Sequence, residues 1–153
     1  MIFQTSKSEE NIMNQKITEV SGMEQLAARI NAMPVLKWCG AKVAIAAPGE
    51  AQVEIAEIRD FHTGGLETSA INGMTLMGLM DAAMCAAALS TLEGGRCATG
   101  EMSVKFMRPV LGGPVKASGR IVSRTKNVLT CEASIRDGEG KERAIATATI
   151  HAI

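Results

Sequence analysis

The stretch from Asn72 to Leu92 constrains the fold more than any other part of the chain. It is almost wholly apolar or small, and its one charge, Asp81, sits near the middle. A run of this length and composition reads as a helix that must be buried on nearly every side. Burying a lone carboxylate inside it is costly unless the carboxylate has partners, so Asp81 is a candidate for chemistry. A membrane-spanning reading fits poorly. Asp81 at the centre would cost about 2.5–3.5 kcal/mol on insertion scales. No cluster of Lys or Arg flanks the stretch, and many Ala, Gly, Thr and Ser residues dilute it.

The rest of the chain is built to cover such a helix. Its 153 residues suit one domain with a substantial core. There is no Tyr, one Trp and three Phe, so Met and Ala fill much of the interior. Net charge is zero and no basic block occurs, which argues against nucleic acid as a partner. Cys39, Cys85, Cys97 and Cys131 form no CxxC pair and no metal-ligand spacing; they read as reduced, mostly structural thiols. No metal or cofactor is expected. The first residues lack the apolar core of a signal peptide, which points to the cytoplasm.

Residues 1–18 are polar and read as a flexible start, with a single domain over 19–153. Ser21 is placed to N-cap a helix with Glu24 in a capping box, Met23, Leu26, Ala27 and Ile30 forming its apolar face and Pro34 ending it. Residues 35–47 and 51–58 read as a hairpin of two strands turning at Pro48-Gly49. Arg59 to Ile71 reads as a loop, and the central helix ends at Glu93-Gly94-Gly95. Four strands follow, at 96–107, 115–124, 128–136 and 142–152, separated by turns at Gly112-Gly113-Pro114, Thr125-Lys126-Asn127 and Asp137-Gly138-Glu139-Gly140. Segregated helices and runs of strands give an α+β protein, with an antiparallel sheet curled about the long helix.

Here the sequence resembles a family. A small polar residue plus Gly before a long apolar helix, Leu79-Met80-Asp81 within it, and a later strand ending Phe106-Met107-Arg108-Pro109 are similar to the hotdog-fold thioesterases. The nearest group is the phenylacetate-degradation-type acyl-CoA thioesterases of the 4-hydroxybenzoyl-CoA thioesterase superfamily. The resemblance covers roughly residues 35–152 and implies a hotdog fold and hydrolysis of acyl-CoA. One departure is clear: the family usually has His-Gly-Gly at the helix entrance, where this chain has Asn72-Gly73-Met74.

Thioester hydrolysis needs a carboxylate that attacks the carbonyl or activates water, and N–H donors for the developing oxyanion. Asp81 suits the first role and the Gly73 N–H, at a helix N-terminus, the second. Eight residues separate them, which is roughly 12 Å along a helix. Both groups must lie about 3 Å from one reacting centre, so one helix cannot supply both to one site. Two antiparallel helices from a twofold homodimer can, and the resemblance implies the same shared arrangement.

The resemblance also places Thr99 where the family has a Ser or Thr that orients the catalytic water; the alternative is an ordinary strand threonine. Asn72 either donates to the thioester carbonyl or, the preferred reading, N-caps the helix. His62 either lines the site or is a surface-loop histidine, and His151 is structural or exposed. Arg108, Arg124 and Lys126 stand at strand ends or in turns, where they can meet coenzyme A phosphates or simply be solvated. Met74, Met77 and Met80 suit a flexible apolar acyl pocket or plain core.

The leading expectation is therefore an acyl-CoA thioesterase acting as a homodimer or a dimer of dimers. The alternatives are a non-catalytic acyl-CoA-binding hotdog protein and a hotdog dehydratase or hydratase. The last generally wants a histidine working with the carboxylate.

Overall fold

The computed structural model describes residues 7–65 and 67–153. Helix α1 runs Lys7–Asn31 and helix α2 Pro34–Cys39. Strands β1 (Ala41–Ala47) and β2 (Glu50–Ile55) follow, then a 3-10 turn at Asp60–His62 and the long helix α3 (Gly73–Leu89). Strands β3 (Cys97–Phe106), β4 (Val115–Arg124), β5 (Val128–Arg136) and β6 (Glu142–Ala152) complete the chain. The six strands form one antiparallel sheet in the order β1-β2-β4-β5-β6-β3, so β1 and β3 are its edges. This is the α+β hotdog architecture, a sheet curved around a long helix.

The sheet takes its inward face from period-2 alternation. Val53 and Ile55 of β2, Val115 and Ala117 of β4, Leu129 and Ile135 of β5 and Ile150 of β6 are all essentially inaccessible. Against them lie Met80, Ala83, Met84, Ala87 and Ala88 of α3, equally buried. Small residues set the helix-to-sheet spacing. A Cβ on Gly119 of β4 would stand 2.5 Å from the Ala83 carbonyl carbon and 2.7 Å from Met84 N. Only glycine lets the α3 backbone approach β4 so closely.

Three expectations change. The first helix begins at Lys7, not Ser21; residues 1–6 of the expected loose start lie outside the described residues. Met13, Ile17, Val20, Ala27 and Ile30 continue one helical stripe across Ser21-Gly22, and Glu9 and Glu10 favour the first turn. Ser21 is therefore mid-helix, where its Oγ accepts from Gln25 Nε2 at 3.4 Å. Second, Pro34 begins a helix and residues 35–39 are not strand: proline suits a first helical position, and Gly40 at φ 67° closes α2. The strand starts at Ala41, where Asn31 clamps β1 through Val43 N (2.7 Å) and Val43 O (2.9 Å).

Third, α3 is not covered all round within one chain. Its C-terminal half is buried, but Gly73, Met74, Met77 and Gly78 are exposed, Met74 at 82 %. Edge strand β3 lies beside that face, with Phe106 half exposed and its ring 3.4 Å from where a Gly73 Cβ would be. No described helix is long and apolar enough to cross a membrane.

Candidate active site

Asp81 sits on the side of α3 that faces β3, half-buried. Thr99 Oγ1 donates to its Oδ1 at 2.6 Å, and the Cys85 thiol, one turn further along α3, lies 3.9 Å from the same oxygen. Cys85 Sγ is also 3.3 Å from Thr99 Oγ1, so the three side chains form a compact polar cluster in an apolar setting. The backbone of β3 creates it. A bulge between Thr99 and Glu101 breaks the register against β6. Cys97 and Thr99 face inward on one side of it, and Met102 and Val104 face inward on the other. Two inward pairs out of phase by one residue require such an insertion. Glycine at 100 permits it with His151 packed over the strand, since a Cβ there would stand 2.6 Å from the imidazole. The signal was present in the sequence as the phase shift around Gly100.

The cluster opens into a cavity of ≈ 510 Å³ between α3 and the α1–α2 region. Its walls are mainly apolar, with Met33, Leu36, Trp38, Phe61, Met74 and Leu79 among them. Trp38 and Phe61 stack at 4.3 Å between ring centroids, an aromatic wall that the sequence, reading Trp38 as strand, did not bring together.

Gly73 does not share this cavity. It lines a separate recess of ≈ 370 Å³ with Phe106, Met107, Arg108 and Pro109. The helix's own bonding begins after it: Asn72 Oδ1 accepts from Thr75 N at 2.8 Å and Asn72 O from Leu76 N at 3.2 Å. The amides of Gly73 and Met74 thus precede the helical ladder, at the positive end of the dipole. Asn72 is the N-cap, and its Nδ2 donates to Phe61 O (2.8 Å) and Thr63 O (3.3 Å). Both ends of its amide hold the preceding loop against the helix.

His62 is not a surface-loop histidine. It is 1 % exposed, Nδ1 accepts from Arg59 N at 2.9 Å, and Nε2 donates to Cys39 O at 2.8 Å. An acceptor at Nδ1 fixes the proton on Nε2. Nδ1 closes the 3-10 turn on its own N-cap, Nε2 ties the turn to the end of α2, and the ring contributes only a wall to the Asp81 cavity. The cationic candidates are dispersed. Arg108 lies in the Gly73 recess, whereas Arg124 donates to Thr91 O at 3.0 Å beyond the other end of α3, and Lys126 is in the β4–β5 turn. His151 is exposed on β6.

Thiols add to the electrostatics of the cavity. Cys97, at the start of β3, lines it beside Cys85, and its Sγ lies 3.9 Å from the Cys85 carbonyl oxygen. The neighbouring Cys97 thiol, with burial, pushes the Cys85 thiol far up, while the Cys85 thiol, against the effect of burial, holds Cys97 below the usual thiol range. Burial pushes Cys131 up to about 11.

Residues 69–144 match the family model described as the thioesterase superfamily. A protein of Saccharolobus solfataricus whose name marks it as a candidate esterase is 26% identical over 107 residues, 70% of this chain and 74% of that protein. Among solved structures, one of a protein from the thioesterase superfamily is 25% identical with a TM-score of 0.77, covering 87% of this chain and 98% of that one. The E. coli PaaI protein from the phenylacetic acid degradation operon shares the fold at TM-score 0.77 and 20% identity, over 88% of this chain and 95% of its own.

Proposed function

The chain belongs to the thioesterase superfamily, with its hotdog fold, and on that footing we propose that it hydrolyses an acyl-CoA thioester to the free acid and coenzyme A, at a site shared between two copies of the chain. One observation carries the proposal: Asp81, held by Thr99 at 2.6 Å, lines an apolar cavity, while Gly73 lines a different recess of the same chain. Each chain offers a base without an oxyanion donor and an oxyanion donor without a base.

In the shared site, Asp81 Oδ1 takes the Thr99 bond and Oδ2 acts on water or on the thioester carbonyl. The Thr99 hydroxyl, fixed by the bulge, keeps the carboxylate in one orientation and helps place the water. The partner's Gly73 amide, at the start of its α3, stabilises the oxyanion as the carbonyl becomes tetrahedral. The acyl group occupies the cavity walled by Met33, Trp38, Phe61 and Met74, which suits an apolar medium-chain or aromatic acid. Arg108, beside Gly73, is placed for a coenzyme A phosphate. Arg124 and Lys126 stand at the far end of α3, away from the Gly73 recess.

The surface of a single chain supports dimerisation. The exposed Met74, Met77 and Gly78 lie beside the free edge of β3, a surface that a twofold mate can cover by pairing β3 with β3. A dehydratase reading loses its histidine, because His62 is tied to backbone through both nitrogens.

The test is thiol release from a panel of acyl-CoAs by the wild type and by Asp81→Asn. General-base loss lowers kcat by about 10²–10⁴-fold. Undiminished hydrolysis by Asp81→Asn would remove the carboxylate from the mechanism, and tight binding without turnover by the wild type would make the protein an acyl-CoA-binding module.

A further inference from the structure

We propose that Cys85 and Cys97 form a thiol modification site, in which a hydroperoxide converts the pair to a disulfide beside the Asp81 carboxylate. Cys85 sits on α3 one turn past Asp81, and Cys97 on β3 two residues before Thr99. Cys97 Sγ lies 3.9 Å from the Cys85 carbonyl oxygen, and Cys85 Sγ lies 3.3 Å from Thr99 Oγ1. Cys97 Sγ is thus directed at the turn of α3 that carries Cys85. Both are only partly buried and both line the cavity, so a small peroxide that enters it meets them. The other two cysteines lack this arrangement. Cys131 is fully buried, and Cys39, although it also lines the cavity, bonds its own helix through Leu36 O at 3.5 Å and hydrogen-bonds to no other cysteine among the described residues. Their placement singles out the pair, because a disulfide requires sulfurs that can close to about 2.05 Å.

The pair also divides the chemistry. Cys97, the thiol held below its usual range by its Cys85 neighbour, attacks the O–O bond and becomes a sulfenic acid, releasing the alcohol or, from hydrogen peroxide, water. The Cys85 sulfur then attacks the sulfenic sulfur, and its proton leaves with the sulfenic hydroxyl as water. Two thiols and one hydroperoxide give one disulfide, one alcohol and one water. The two electrons lost by sulfur reduce the O–O bond. The disulfide withdraws Cys85 from Thr99 and Asp81, and in the thioesterase reading, on which this consequence rests, hydrolysis falls.

The full chain is treated with hydrogen peroxide, alkylated with N-ethylmaleimide and mapped by mass spectrometry, a readout independent of hydrolysis. Two of the four thiols are expected to escape alkylation, with the Cys85 and Cys97 peptides joined and dithiothreitol restoring all four. Cys97→Ser and Cys85→Ser each abolish the crosslink. Four alkylated thiols after oxidation, a crosslink involving Cys39 or Cys131, or over-oxidised Cys97 beside alkylated Cys85 would overturn the proposal. In parallel, acyl-CoA hydrolysis should drop roughly tenfold or more, because small displacements at a reacting centre weigh heavily, and should recover with dithiothreitol. A mapped disulfide with unchanged hydrolysis would refute the coupling to Asp81.

Discussion

Gly119→Ala adds a single methyl group where β4 meets the backbone of α3. The new Cβ would stand 2.5 Å from the Ala83 carbonyl carbon, 2.7 Å from its oxygen and 2.7 Å from Met84 N. Ordinary contact is nearer 3.5–4.0 Å, so helix and sheet must part by roughly 1 Å. The atoms in the way are backbone, so no rotamer relieves the clash. Overpacking of this kind costs about 1–3 kcal/mol, and for a chain of this size that lowers Tm by about 2–12 °C. The same displacement separates Asp81, carried by α3, from Thr99, carried by β3. A shift of about 1 Å at a reacting group can cost about 10²-fold in rate. Thermal unfolding followed by circular dichroism and steady-state kcat on an acyl-CoA measure the two effects together. Gly138→Ala is the control, since nothing lies within 4 Å of its Cβ position and its φ is not positive. If Gly119→Ala melts with the wild type and retains kcat, helix-to-sheet spacing does not position Asp81.

Asn72→Ala removes the cap of α3 and both bonds to the preceding loop. It is expected to lower stability by about 0.5–2 kcal/mol, and Asn72→Asp should recover the cap by denaturant titration. An Asn72→Ala protein of wild-type stability would show that the cap bond contributes nothing. Gly78→Arg places a long cation on the exposed face of α3 at the mouth of the Asp81 cavity, where no described atom beyond the helix's own turn lies within 4 Å of the new Cβ. Sedimentation should show a folded monomer with little hydrolysis; an active dimer would mean that this face is not the interface.

The strands were legible because their signals are local. β4, β5 and β6 have the limits that alternation and turn residues indicate, as in Leu129, Cys131, Ala133 and Ile135 facing inward between Asn127 and Asp137. The central helix and its N-cap were legible for the same reason, although the helix ends at Leu89, before the expected stop at Glu93-Gly94-Gly95. What escaped depends on contacts between distant segments. Pro34 reads as a stop until Gly40 closes a new helix after it, and Ser21-Gly22 reads as a boundary although the apolar stripe runs through it. His62 looks like a loop residue because its partners are backbone atoms of Arg59 and Cys39. In the site, Asp81 announced itself as a lone charge. Its setting depends on the bulge at Gly100, which turns Cys97 and Thr99 to the same face of β3 as Met102 and Val104. The position of β3 beside β6, at the sheet edge, is a matter of topology that no local pattern encodes.

The shared site is tested most directly by mixing two inactive variants. Asp81→Asn removes the base. Gly73→Pro removes the amide while sparing the helix, because Gly73 is the first helical residue and Asn72, at φ −70° and ψ 155°, already has the conformation that precedes proline. Each homodimer should be inactive. After unfolding and refolding an equal mixture, about half the dimers pair one variant with the other, and each of these holds one site with both defects and one with neither. A shared site predicts recovery of about one quarter of wild-type activity per subunit. Mixed dimers, confirmed by mass, that remain as inactive as the parents would contradict it.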